Sequence, residues 1–112
     1  MDMETTKPAQ SGIIYNVTTK VDTAFAQRWV QWTREIHIPG MLATGCFTHT
    51  VFLRLVDVDD TDGPTYAVQY HCADKAHYEQ YMAEYAATMR KQTVDTWGEN
   101  VLSFRSVLEI VN

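Results

Sequence analysis

Two kinds of hydrophobic spacing alternate along the chain. Segments in which apolar and polar positions alternate, and which are rich in β-branched and aromatic residues, predict strands. Four such segments occur, at residues 13–21, 47–56, 65–72 and 101–111. Apolar residues at helical spacing follow the first and the third of these segments. The predicted order of elements is therefore βαββαβ.

The first predicted helix begins after Asp22, whose side chain suits an N-cap. Its apolar face has the spacing i, i+4, i+7 and i+11, with Phe25, Trp29, Trp32 and Ile36. Pro39 is predicted to end the helix, because the residue before a proline is disfavoured in the helical region. His37 would then lie in the last turn, where the helix dipole favours the protonated ring and a pKa near neutrality.

The second predicted helix begins after Asp74 and ends at Trp97 and Gly98, where a glycine suits a left-handed cap. Its apolar face is made of tyrosine and methionine, namely Tyr78, Tyr81, Met82, Tyr85 and Met89. Aromatic residues at this spacing are more often core residues than cofactor contacts, so we interpret this face as core.

This order predicts an α+β fold of the ferredoxin-like type, in which a four-stranded antiparallel sheet carries both helices on one face. Residues 12–112 are predicted to form a single domain. Residues 1–11 are polar and lack periodicity, which predicts a flexible N-terminal tail.

The second and third strands are predicted to pair so that Leu53 opposes Val68 against the helices, while Phe52 opposes Gln69 on the other face. We call the face without helices the open face. The strand patterns place nine residues there: Asn16, Thr18, Thr50, Phe52, Arg54, Gln69, His71, Arg105 and Glu109. Apolar side chains on such a face are typical of a sheet that packs against a second copy, so we expect a homodimer. Cys46 and Cys72 are predicted to lie on opposite faces.

Composition and charge exclude several functions. The 112 residues carry a net charge of −5 and contain no run of Lys or Arg, which disfavours binding to nucleic acid or to an anionic membrane. No segment approaches the roughly 18 consecutive apolar residues of a membrane span, and the start lacks the pattern of a secretory signal. We therefore expect a cytoplasmic protein with reduced cysteines. The acidic residues 57–63 do not match a calcium-loop register, so no metal site and no cofactor are predicted.

Four segments resemble a bacterial family of small proteins of unknown function. These are IIYNVT at residues 13–18, the His37-Ile38-Pro39 turn, ATGCF at residues 43–47 and YAVQY at residues 66–70. The resemblance implies a fold similar to the dimeric α/β-barrel group, in which two ferredoxin-like sheets face each other. It implies no particular activity, because that group includes cofactor-free monooxygenases, haem-degrading enzymes, isomerases and ligand sensors. Some of those oxygenases use an Asn on the first strand with a Trp and a His. Asn16 matches this description, whereas Trp29 and Trp32 lie on the core face of the first helix.

The candidate site residues follow from the open face and from the first helix. His37 and His71 are the acid/base candidates. The alternative for His37 is a purely structural role in the turn before Pro39. The ligand-binding candidates are Asn16, Phe52, Arg54, Gln69, His71 and Arg105. The guanidinium of Arg105 suits a carboxylate, and the alternative for this polar group is a hydrogen-bond network between subunits.

Three hypotheses about function remain at this point. The leading one is a homodimeric domain that binds or senses a small polar or aromatic ligand between facing sheets. The second is a cofactor-free oxygenase or isomerase with the same architecture. The third is a structural dimer without a ligand.

Overall fold

The computed structural model of the chain describes residues 12–111. Its four strands are β1 (Ile13–Val21), β2 (His49–Arg54), β3 (Thr65–Cys72) and β4 (Val101–Glu109). They form one antiparallel sheet in the order β2-β3-β1-β4. This order and the helices described below confirm the predicted ferredoxin-like α+β fold. The predicted tail at residues 1–11 lies outside the described residues.

The helical segments are interrupted rather than continuous. The first contains a 3-10 turn (Thr23–Phe25), α1 (Ala26–Trp32), a π-helix (Thr33–His37) and α2 (Ile38–Ala43). The second contains α3 (Lys75–Glu84), α4 (Ala86–Trp97) and a 3-10 turn (Gly98–Asn100). Both predicted N-caps form, because the Asp22 carboxylate accepts from the Ala24 N–H and the Asp74 carboxylate from the His77 N–H.

The prediction that Pro39 ends the first helix is wrong, and the π-helix is the reason. The Ile38 N–H donates to the Thr33 carbonyl, five residues back, so the α-helical ladder is broken directly before the proline. Pro39 then lies in the first turn of α2, where a missing N–H costs little. The extra residue in this turn also rotates the helix face. Ile36, predicted as core, is 61% exposed, while Thr33 is buried and His37 is half-buried.

The predicted register of the β2–β3 hairpin is wrong by one residue. Phe52 pairs with Val68 and Arg54 pairs with Tyr66, so the side chains of Thr50, Phe52 and Arg54 lie on the helix side of the sheet. His49, Val51 and Leu53 lie on the open face instead. Strand β2 is an edge strand with apolar residues on both faces, and its polarity pattern therefore does not select one register.

The predicted positions of Arg105 and Glu109 on the open face are also wrong. Arg105 pairs with Val17 and Glu109 pairs with Ile13, which places both side chains on the helix side. The open face of β4 instead carries three large apolar residues, Leu102, Phe104 and Leu108, and Ile110 follows directly after the strand. Asn16, Thr18, Gln69 and His71 do lie on the open face as predicted.

The core consists of two clusters on the helix side. One surrounds Tyr15, Tyr70 and Tyr81, and the other contains Val21, Trp29 and Trp97. Tyr78, Tyr81, Tyr85 and Met89 of the second helical segment contribute to the first cluster, as predicted. Met82, also predicted as core, is exposed and lies outside the cluster. Cys46 and Cys72 are free thiols buried in that same cluster, not on opposite faces as predicted.

Candidate ligand-binding cavity

A small cavity lies between the helix side of the sheet and the helices, where the two core clusters meet. Its volume is about 40 Å³, which is room for roughly two or three water molecules. Most of the wall is aromatic or apolar, with Tyr15, Trp29, Trp32, Met41, Tyr70, Tyr81 and Met89. The wall also includes polar side chains from the π-helix, α4, β1 and β4, among them Thr33, His37, Arg90 and Arg105.

Two arginines converge on the buried phenol of Tyr15. Arg90 Nη2 on α4 and Arg105 Nε on β4 each donate to the Tyr15 oxygen over 3.1 Å. The ion pairs within residues 12–111 are Arg54–Asp60, His77–Asp74 and Lys91–Asp95, so neither cavity arginine is paired with a carboxylate there. The hydrogen bond to Tyr15 raises the pKa of Arg90, which keeps this guanidinium charged. One end of the cavity thus carries two positive charges, although the protein as a whole is acidic.

His37 enters the cavity as a neutral ring. It stacks on Trp32, with the ring centroids 4.8 Å apart and the planes inclined by 17°. Burial, and secondarily the charge of Arg105, lowers the pKa of His37 to about 4. The prediction of a pKa near neutrality is therefore wrong. The π-helix places His37 in the middle of a helical segment and against the core, so the dipole of a helix C-terminus does not act on it.

Three buried polar atoms of the cavity wall lack a hydrogen-bond partner among residues 12–111. They are Thr33 Oγ1, His37 Nδ1 and Arg90 Nε. Buried polar atoms in folded proteins are nearly always hydrogen-bonded, and each unpaired one costs roughly 1–3 kcal/mol. By contrast, Thr19 and Ser103 on the same wall satisfy each other through a 2.9 Å hydrogen bond. The arrangement offers donors and a neutral imidazole to a small polar group in the cavity.

The two deepest tyrosines do not supply a base. Burial raises the pKa of Tyr70 and of Tyr81, so both phenols remain protonated. The Tyr81 hydroxyl lies 3.4 Å from Met41 Sδ. These rings therefore act as walls of the cavity.

Of the predicted site residues, only His37 and Arg105 line this cavity. Phe52 packs edge-on against Trp29, with the centroids 5.9 Å apart, and so belongs to the core. Arg54 forms an exposed ion pair of 3.0 Å with Asp60 in the hairpin loop.

Asn16, Gln69 and His71 remain on the open face, away from the cavity. Asn16 Nδ2 donates to Thr18 Oγ1 over 3.1 Å and to Ser106 Oγ over 3.3 Å. The ring of His71 stacks on that of His49, with the centroids 4.1 Å apart. Burial, and then the neighbouring His49, lowers the pKa of His71.

Sequence analysis missed Tyr15, Thr33 and Arg90. The spacing does contain a clue to Arg90, which lies eight residues after Met82 and therefore on the edge of the same helical face. Its Nη2 is 3.9 Å from Met82 Sδ. Thr33 lies on the buried side because of the π-helix, and no residue spacing in the sequence indicates this.

The open face is apolar at its two edges and polar along its middle. The outer strands and the residue after β4 contribute six large apolar side chains that are 37% to 64% exposed: Val51, Leu53, Leu102, Phe104, Leu108 and Ile110. The middle strands contribute mainly polar residues, among them Asn16, Thr18, Gln69 and His71, together with Ile14. Exposed apolar side chains arranged in this way are typical of a surface that packs against another protein.

Neither a membrane span nor a clustered metal site is found in the described part of the chain. None of the helices within residues 12–111 is long and apolar enough to cross a membrane. The same residues contain no group of three or more His, Cys, Asp or Glu side chains placed to hold a metal ion.

Several solved structures share this fold. A dimeric ferredoxin-like protein from an uncultured marine organism is similar with a TM-score of 0.61 and 12% identity, covering 92% of this chain and 98% of that one. A conserved protein of unknown function from Bacteroides thetaiotaomicron, described as a possible oxidoreductase, is similar with a TM-score of 0.65 and 14% identity, covering 91% and 100%. A protein from Shewanella oneidensis is similar with a TM-score of 0.51 and 13% identity, covering 91% and 97%. At these identities the likeness concerns the fold.

The family comparison agrees with the resemblance inferred from the sequence motifs. No curated protein matches the chain. The model of a domain of unknown function, DUF4286, matches residues 12–111, which is almost the entire chain. The expected membership in a family without an assigned activity is thus confirmed, and the chain belongs to the DUF4286 family.

Proposed function

We propose that this protein is a homodimeric domain that binds a small polar or aromatic molecule in the cavity between the sheet and the helices of each protomer. The observation that carries the proposal is that Thr33, His37 and Arg90 all line one cavity and that each has a buried polar atom without a partner among residues 12–111. Leaving three such atoms unpaired costs several kcal/mol, and a bound polar group removes that cost. Because these atoms lie on the helix side of the sheet, we propose the ligand there and not between facing sheets.

The walls define what this ligand looks like. A cavity of about 40 Å³ accepts a head group of roughly two to four heavy atoms without rearrangement. Trp32, Met41 and Tyr81 line the same space, so a larger apolar or aromatic body enters only if these side chains rearrange. Arg105 lines the cavity, is exposed and lies on an edge strand, so the cavity wall reaches solvent at this residue.

A second copy of the chain is the proposed partner of the open face. Six large apolar side chains are exposed at its two edges, and covering them removes apolar surface from water. The polar middle, with Asn16 and Gln69, would then lie in a groove between the two sheets. The marine ferredoxin-like neighbour is itself dimeric, which supports the same arrangement.

An enzyme of this architecture is the second candidate, and one observation favours it. His37 is neutral, faces the cavity and has an unpaired Nδ1, as a general base requires. The neighbour from Bacteroides thetaiotaomicron is described as a possible oxidoreductase. A base with a pKa of about 4 is nevertheless weak, whereas an efficient catalytic base has a pKa near the working pH. This difference favours binding over proton abstraction.

Protein-observed NMR with a library of small acids, amides, phenols and amines tests the cavity. Binders should shift the resonances of Tyr15, Thr33 and Arg90 together, and Thr33→Val should reduce those shifts. Arg54→Met changes an exposed arginine outside the cavity and should leave them intact. Shifts confined to Asn16, Gln69 and His71 would place the ligand on the open face and contradict the proposal.

A further inference from the structure

We infer that the ligand of this cavity is a carboxylic acid, and that Arg90 and Arg105 together hold its carboxylate. This inference rests on the proposed function and names the chemical class that the site selects. The two guanidinium groups reach the Tyr15 oxygen from different elements, α4 and β4. Their meeting point is therefore fixed by the fold and not by local sequence.

The hydrogen-bond capacity of the two arginines is largely unused. A guanidinium has five N–H donors, and its Nε–H and one Nη–H form the edge that grips both oxygens of a carboxylate. Arg90 uses Nη2 on Tyr15 and on the Met82 sulfur, whereas its buried Nε has no partner in the described chain. Arg105 uses Nε on Tyr15. Both groups therefore have N–H donors left for a carboxylate that lies beside the phenol.

The charge of the site points to an anion. Two guanidinium groups that share one acceptor repel each other, and no Asp or Glu within residues 12–111 forms an ion pair with either of them. The protein carries a net charge of −5, so its carboxylates are plentiful but lie elsewhere. A bound anion offsets this local repulsion and gains charge-assisted hydrogen bonds.

The size and the walls of the cavity select an organic acid. A carboxylate has three heavy atoms and fits about 40 Å³, whereas a phosphate or sulfate has five and is tetrahedral. The wall also includes Thr33 and the neutral ring of His37, which add polar groups without adding charge. Trp32, Met41 and Tyr81 belong to the same wall, so the carboxylate carries at most a short apolar group, such as a methyl, unless these side chains rearrange.

Titration calorimetry with matched acids and amides tests this inference on the full chain. Formate and acetate, which fit the cavity, should bind, and formamide and acetamide should bind at least about tenfold more weakly, because the amides lack the charge-assisted hydrogen bonds. Arg90→Met and Arg105→Met should each weaken acid binding by about tenfold or more and leave amide binding unchanged. Arg54→Met removes an exposed arginine outside the cavity and should change neither. Should Arg90→Met fail to fold, Arg90→Lys keeps the charge without the planar edge and should still weaken binding of the acids.

The possible results distinguish a failure of the carboxylate assignment from a failure of the proposed ligand binding. Equal binding of acids and amides, unaffected by Arg90→Met, would overturn the carboxylate assignment and leave the cavity as a site for neutral ligands. Inorganic phosphate that binds more tightly than every acid would overturn it in favour of an inorganic anion. If neither acids nor amides bind while other library members shift Thr33 resonances, the carboxylate assignment fails alone. If nothing shifts the cavity resonances, both proposals fail.

Discussion

Replacing His37 with glutamine should make the stability of the protein less sensitive to mild acid. In the folded chain the pKa of His37 is about 4, against an ordinary value of 6.5, because the ring is buried and Arg105 is near. The unfolded chain therefore binds more protons than the folded chain between these two values. The contribution of the neutral ring to the free energy of unfolding is fully present above about pH 6.5 and is lost as the pH falls towards 4.

The expected magnitude follows from the two pKa values. Between about pH 7 and about pH 5, the His37 contribution to the free energy of unfolding should fall by about 2 kcal/mol. Two aspartates with lowered pKa values, Asp59 and Asp74, lose their contributions mainly below about pH 4. The interval from about pH 5 to pH 7 therefore reports mainly on histidine.

Urea unfolding of the wild type and of His37→Gln at several pH values in this interval measures the difference. Glutamine is neutral throughout, so the variant should lose about 2 kcal/mol less than the wild type on acidification. His77→Gln removes an imidazole of α3 that lies outside the cavity and controls for the loss of one histidine. A parallel pH dependence in wild type and His37→Gln would refute the buried, neutral His37, as would an NMR titration of His37 near 6.5.

Three further predictions concern stability and assembly. Trp29→Ala should lower the free energy of unfolding by about 3–5 kcal/mol, because Trp29 is buried, whereas Ile36→Ala should change it by less than about 0.5 kcal/mol, because Ile36 is exposed. Similar losses for both variants in urea unfolding would contradict the π-helix register. Gly63→Ala should destabilise by more than about 1 kcal/mol, because φ is +146° and the added Cβ would lie 1.8 Å from a carbonyl oxygen of β1; an unchanged melting temperature would refute this. Phe104→Glu should convert a dimer into a monomer in sedimentation velocity, and Val94→Glu, equally exposed but on α4, should not; a monomeric wild type would exclude the proposed dimer.

The elements of this fold were predictable because their determinants are local. The period-two pattern of β1 and β3 gave their bounds exactly as they occur, at Ile13–Val21 and Thr65–Cys72. The caps at Asp22 and Asp74 need only a carboxylate and the N–H groups that follow it in the chain. The order βαββαβ then restricts the topology to a few choices, of which the ferredoxin-like sheet is one.

The faces of the two edge strands were not predictable from polarity. The alternation of polar and apolar residues shows which face of a strand is buried only when the other face is polar. Strand β2 has apolar residues on both faces, Val51 and Leu53 on one and Phe52 on the other. In β4 the rule gave the inverse of the observed arrangement, with Phe104 outward and Arg105 inward. In this protein a polar cavity lies on the inner side of β4, and a partner copy is proposed for its outer side.

The site was only partly predictable, because its residues meet through tertiary structure. His37 and Arg105 were selected for their chemistry, although the expected pKa of one and the expected face of the other were wrong. Thr33 lines the cavity from a π-helix that lies directly before the proline-containing first turn of α2. The contact between Arg90 and Tyr15 spans 75 positions in the chain, and no local pattern reports it.

Strand β4 connects the two proposals. Phe104 and Arg105 are adjacent, so one faces the proposed partner copy and the other faces the cavity. An edge strand that gains a packed outer face loses freedom, and its inward side chains are then held more firmly. We therefore expect Phe104→Glu to weaken binding of acetate as well as dimerisation, although Phe104 does not line the cavity. Titration of the monomeric variant decides this. Unchanged affinity would show that each protomer forms its site alone, whereas reduced affinity with an intact fold would show that the dimer orders Arg105.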